Sequence, residues 1–122
     1  MERDPLTDRI IASAIEIHRV LGPGLLESAY ESALCVEFVT RGHRHARQVV
    51  VPMTYRGQSI GEYRLDLLVE DRVVVEITAV DKLIPVYQAQ VLTYLRATGK
   101  RIGPLINFNT ALVSRGIQRF IV

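Results

Sequence analysis

A single cysteine, Cys35, stands in the 122 residues, so no disulfide can close within the chain. No apolar run approaches the roughly 20 residues that a membrane span needs. The first residues, MERDPLTDR, contain no apolar signal-like stretch. These absences lead us to expect a cytoplasmic protein without a membrane partner. Cys35 is expected to be a core residue of a helix and not a reactive thiol, since no histidine or base motif accompanies it. Lysine is also scarce. Of fifteen cationic residues only Lys82 and Lys100 are lysines, and thirteen are arginines. Arginine suits bidentate phosphate contact, yet an arginine-rich chain can equally reflect genomic base composition. A net charge of +2 identifies no partner. There is no Gly-rich phosphate loop, no Ser-His-Asp order and no Cys-x-x-Cys pair. His43 and His45 have no further cysteine or acid at a zinc spacing.

What is present fits one globular domain spanning 1–122. Apolar residues make up 48% and charged residues 23%, ordinary proportions for a chain long enough to bury a core. Asp4 and Pro5 read as the N-cap and first position of a helix. Ile11, Ala14, Ile15, His18 and Leu21 then recur at helical spacing, with His18 expected as a satisfied core histidine. Gly22-Pro23-Gly24 turns the chain. A second helix is expected from near Leu25, with Leu26, Ala29, Tyr30, Ala33, Leu34 and Phe38 as its stripe and Gly42 as its stop. The segment RGHRHAR, residues 41–47, is the one local basic cluster. It reads either as a phosphate-tracking patch or as a solvated loop.

Residues 48–55 are strand-like, with Pro52 pointing to an edge or a bulge. Arg56-Gly57-Gln58 is a hairpin turn. From Ile60 to Val69 the alternation places Tyr63, Leu65, Leu67 and Val69 on one face, and Glu62, Arg64 and Asp66 on the other. Val73 to Thr78 is a buried type of strand, in which Glu76 and Thr78 share a face. A third helix is expected from Ile84 or Pro85 to about Thr98, with Val86, Ala89, Gln90, Leu92, Tyr94 and Leu95 as its stripe. Short strands follow at 103–107 and 117–122, giving the order ααβββαββ.

Two acids on adjacent expected strands, Asp66 and Glu76, and a third at a helix start, Glu27, make a candidate site for a hard divalent cation. Each also has a plainer explanation. Asp66 and Glu76 could be surface acids, with Arg64 as a salt-bridge partner. Glu27 could be a first-turn acid favoured by the helix dipole, and Gln90 with Tyr94 could be a half-buried i,i+4 pair.

The run LGPGLLESAY contains Gly24-x-x-Glu27-x-x-Tyr30. It resembles the signature of the GxxExxY proteins, a bacterial and archaeal group within the PD-(D/E)XK nuclease superfamily. The similarity continues through YRGQSIGEYRLDLLVED, VVVEITAVDKL and AQVLTYLRATGKRIGPLINFN, over roughly residues 6 to 120. The resemblance implies an α/β (α+β) restriction-endonuclease-like core, a mixed central sheet flanked by helices. It implies Asp66 and Glu76 as the paired motif acids, Glu27 as an additional acid, and Gln90 and Tyr94 as a Gln-x-x-x-Tyr element. Mg²⁺ or Mn²⁺ would be held by Glu27, Asp66, Glu76 and the carbonyl of Ile77, and the substrate would be nucleic acid. One position departs. Thr78 stands where the family usually has lysine, which implies either a slowed nuclease, for which Lys82 is a conceivable substitute cation, or a degenerate nucleic-acid-binding or regulatory module. Small members of the superfamily often dimerise, so a homodimer through an edge near 52–55 is a further expectation.

Overall fold

The computed structural model describes residues 4–122. The first three residues of MERDPLTDR, read above for an apolar signal, lie outside the described residues. The elements follow the expected order: α1 (Pro5–Leu21), α2 (Glu27–Arg41), β1 (His45–Tyr55), β2 (Gln58–Val69), β3 (Val73–Thr78), α3 (Pro85–Thr98), β4 (Ile102–Asn107), a short 3₁₀ turn (Val113–Gly116) and β5 (Ile117–Ile121). Among the described residues no helix is long and apolar enough to cross a membrane.

The five strands lie in sequence order in one sheet. All neighbours are antiparallel except β3 and β4, which run parallel. Parallel neighbours need a crossover, and α3 provides it. As the central strand, β3 is buried along its whole length. β1 is an edge strand, which tolerates Pro52; the register shifts just beyond it, between Met53 and Thr54. Arg56 and Gly57 both have positive φ, the geometry of a two-residue hairpin turn that matches strand twist.

Each face of the sheet carries its own core. On one face α1 and α2 bury Ile10, Ala14, Tyr30, Leu34 and Phe38 against Leu67, Val75, Ile106 and Phe108. On the other, α3 sets Val91, Tyr94 and Leu95 against Val51, Leu65, Val74 and Leu105. Cys35 packs partly buried at the margin of the first core, and burial pushes its thiol pKa up, as suits an unreactive residue. His18 is buried, with Nε2 hydrogen-bonded to the Phe108 carbonyl at 3.1 Å, the satisfied core histidine that was expected.

The helix faces differ from the expected stripes. α1 docks through Leu6, Ile10, Ala14, Ile17 and His18, leaving Ile15 and Leu21 exposed. α2 begins at Glu27 with Leu26 as its N-cap, close to the expected start, but Leu26 is 78% exposed and Ala29 also faces solvent. α3 keeps its expected ends but buries Val91, Tyr94 and Leu95, while Val86 and Gln90 are exposed. These helices carry apolar residues on several sides, so spacing alone fits more than one stripe. Small buried polar residues, Thr7 and Ser13 in α1, complete the face that docks.

β2 also departs from simple alternation. Leu65 belongs to the core under α3, whereas Leu67 belongs to the core under α1 and α2. The strand therefore changes faces around Asp66. Across from it, Gln48 of β1 has φ 51°, rare for a residue with a side chain. Val49 still pairs with Leu65 and Arg47 with Leu67, but no ladder pair joins Gln48 to Asp66.

Candidate functional site

The bend in β2 opens the sheet. Its ladder with β3 runs from Val69↔Val73 to Leu67↔Val75 and goes no further. Beyond that point two acids take over the main-chain donors. The Asp66 amide donates to Oε1 of Glu76 at 3.1 Å, and the Ile77 amide donates to Oδ2 of Asp66 at 2.8 Å. Side-chain carboxylates thus stand where strand carbonyls would accept, and a cleft of about 160 Å³ opens beside them.

Glu76 is only 8% exposed. Burial first, and then the negative Asp66 beside it, push its carboxyl pKa from 4.5 up to about 9. At neutral pH Glu76 therefore holds a proton, because two adjacent carboxylates cannot both ionise cheaply away from water. The folded state binds a proton that the unfolded chain releases near 4.5. The resulting stabilisation is complete below that pH and is lost as pH rises through about 9. Thermal melts of the metal-free protein should show stability falling across this window, with a shallower fall in Glu76→Gln. Equal slopes would refute a protonated Glu76.

Asp66 is steered from β1. Gln48 donates from Nε2 to Oδ1 of Asp66 at 3.3 Å and to Oε1 of Glu31 at 2.7 Å. Glu31 is itself buried and is held by Arg47 at 2.8 Å. The left-handed backbone at Gln48 turns the amide inward between the two acids. Sequence reasoning missed Gln48 and Glu31. The periodicity of α2, with Glu31 beside the stripe, was the one available signal.

Glu27 is reached through a turn. Tyr30 is fully buried and stacks on Phe108, with ring centroids 4.4 Å apart. Its hydroxyl donates to the Gly22 carbonyl at 2.6 Å and accepts from the Leu25 amide at 3.2 Å. Gly24, at φ 102°, supplies a conformation that a side chain would oppose. The turn so fixed presents Glu27, the first residue of α2, to β3. There Oε1 of Glu27 accepts from the hydroxyl of buried Thr78 at 3.2 Å. Glu27 is exposed. It is at once a first-turn acid and a wall of the cleft. Tyr30→Phe should cost roughly 1–2 kcal/mol in urea unfolding with an unchanged m value; an unshifted midpoint would show that the hydroxyl does not secure the turn.

Arg64, Tyr87, Gln90 and Leu105 complete the cleft. Arg64 forms no ion pair among the described residues, and it is the one cation on the cleft wall. Lys82 is exposed and does not line the cleft. Gln90 donates to the Tyr94 hydroxyl at 2.9 Å; Tyr94 itself lines an adjoining pocket. The basic segment 41–47 is largely neutralised, with Arg41 paired to Glu37, Arg44 to Glu70 and Arg47 to Glu31, and its last residues already belong to β1.

Among the described residues no three His, Cys, Asp or Glu side chains converge into a preformed metal cage. The cleft instead offers an adjacent pair, Asp66 and Glu76, with Glu27 across Thr78. A hard divalent cation that retains most of its water needs only one or two carboxylates. A proton shared between repelling carboxylates is what such a cation can displace. In an extended strand a residue's N–H and C=O leave on the same side, so the Ile77 carbonyl faces the gap into which its amide donates.

No curated protein and no solved structure matches this chain. A family model described as the PD-(D/E)XK nuclease superfamily matches residues 4–120, and the mixed sheet flanked by helices agrees with that fold. On a match over nearly its whole length, the chain belongs to the PD-(D/E)XK nuclease superfamily.

Proposed function

We propose that this protein, a member of the GxxExxY group, is a slow nuclease that hydrolyses phosphodiester bonds of nucleic acid with Mg²⁺ or Mn²⁺. The observation that carries the reading is the adjacent pair Asp66 and Glu76, each carboxylate accepting a main-chain amide where the β2–β3 ladder stops, on the wall of a cleft. Bound there, the cation would supply charge relief at the phosphoryl oxygens and a more acidic water. Asp66 and Glu76 would hold it, Glu76 as the carboxylate after release of its proton to solvent. The Ile77 carbonyl would be a further ligand, and Glu27 would take part directly or through water. Gln48 and the Ile77 amide keep Asp66 from swinging away. Gln90 borders the cleft and orients substrate, with Tyr94 fixing it by the hydrogen bond from its amide.

Thr78 makes the reaction slow. Its hydroxyl holds Glu27 but carries no charge for an attacking water or a developing oxyanion. Loss of one such preorganised group typically lowers the rate about 10²–10³-fold, a small part of total acceleration for phosphate esters. Arg64 on the cleft wall supplies part of the missing charge.

A second reading has its own support. Thr78 is buried and already hydrogen-bonded, as suits a domain that retains the fold as a binding or regulatory module without cleavage. Incubating the protein with labelled single- and double-stranded DNA and RNA, with each metal, separates the two. Metal-dependent products support the nuclease. Salt-sensitive binding without products in either metal supports the module.

A further inference from the structure

Next to the acid cleft lies a second cavity, of about 250 Å³, walled by Met53, Ile60, Tyr63, Gln90, Thr93 and Tyr94. We propose that it receives one unpaired nucleobase, so that the protein takes single-stranded or splayed nucleic acid in preference to intact duplex. The inference rests on the nucleic-acid ligand proposed above and adds its strandedness.

Continuity with the acid cleft is the first argument. Gln90 lines both cavities, so whatever fills the second sits one side chain away from a phosphate held at Asp66 and Glu76. The character of the walls is the second. None of the six residues carries a formal charge, so the cavity has no cation to attract a phosphate. Tyr63 is 50% exposed and offers a ring for stacking, while Met53 and Ile60 supply apolar contact. Every base has a π-face, and aromatic stacking is the usual sequence-tolerant hold on single strands. Among the polar groups of the lining, the Gln90 amide, donating to the Tyr94 hydroxyl at 2.9 Å, retains its carbonyl oxygen for a base edge. A base within a duplex has both faces covered by its neighbours and cannot enter.

Affinity for fluorescein-labelled oligothymidylate and for a blunt hairpin duplex, measured by anisotropy with Ca²⁺ in place of Mg²⁺, tests this without relying on cleavage. Tyr63 is exposed, so Tyr63→Ala should remain folded. It should bind the single strand about tenfold more weakly with duplex affinity unchanged, and Tyr63→Phe should bind as wild type. Equal loss for both ligands, no loss for either, or no wild-type binding of the oligonucleotide would overturn the proposal. A protein that cleaves nothing yet shows the Tyr63-dependent preference would sink the nuclease reading and leave the pocket standing. A protein that cleaves, with Tyr63→Ala binding the single strand normally, would do the reverse.

Discussion

Glu76→Gln at pH 7 should leave the metal-free protein folded with an undiminished melting temperature, and should abolish both its stabilisation by Mn²⁺ and any nuclease activity. The two halves of this result have one cause. In the metal-free protein Glu76 is buried and protonated, so a neutral amide of the same shape resembles the group it replaces. Its carbonyl oxygen can still accept the Asp66 amide that Oε1 now accepts. A cation, by contrast, needs the ionised form, and glutamine cannot ionise. Wild type at about 100 times the dissociation constant should gain roughly 2.7 kcal/mol from Mn²⁺, and the variant close to none. Activity should fall by about 10³-fold or more, since the cation's charge at the phosphate contributes several kcal/mol to such reactions. Asp66→Asn should lose the same metal response. Differential scanning fluorimetry with and without Mn²⁺ reads the first effect, and gel assays read the second. A variant stabilised by Mn²⁺ as strongly as wild type would remove Glu76 from the metal site.

The second large effect is a gain. Thr78→Lys should raise the cleavage rate about 10²-fold, the usual contribution of one preorganised charge. Residue 78 is buried, ordinarily a poor place for an ammonium. Here, however, the side chain opens onto a cleft walled by Glu27, Asp66 and Glu76. The threonine hydroxyl already lies 3.2 Å from the Glu27 carboxylate, so a lysine at 78 finds a counter-charge without rearranging the strand. Its positive charge also favours ionisation of Glu76, so the apparent affinity for metal should become less dependent on pH. Single-turnover cleavage by wild type and Thr78→Lys, at saturating Mg²⁺ and across pH, reads both effects. If the variant binds metal and cleaves no faster, the missing lysine is not what restrains this protein, and the binding-module reading takes the lead.

Much of the fold was legible because its signals are local. Asp4-Pro5, Gly42 and Gly99 mark helix ends that the structure keeps, and the Arg56-Gly57 hairpin announces itself by turn chemistry. The helix faces were not legible. α1 and α3 carry apolar residues on more than one side, and only docking decides between them. Asp66 and Glu76 could be paired from strand order, because a hairpin brings them opposite. What local pattern could not give was the bend at Asp66, which moves Leu65 and Leu67 to different cores and opens the cleft. That bend lies across from Gln48, eighteen positions away and hydrogen-bonded to Asp66; no glycine or asparagine announces the left-handed backbone at Gln48. Arg64, offered by the plainer explanation of Asp66 and Glu76 as their salt-bridge partner, pairs with neither among the described residues and stands on the cleft wall.

The stacking of Tyr30 on Phe108 sets an order of events. Domains are made from the N-terminus onward, and α2 leaves the ribosome well before β4 and the residue that follows it. Until Phe108 arrives, Tyr30 has no ring to lie against, and the turn that presents Glu27 to Thr78 lacks its footing. A chain that ends before β4 therefore lacks the ring contact that steadies Glu27 beside Thr78, although the hairpin that joins Asp66 to Glu76 is already in hand.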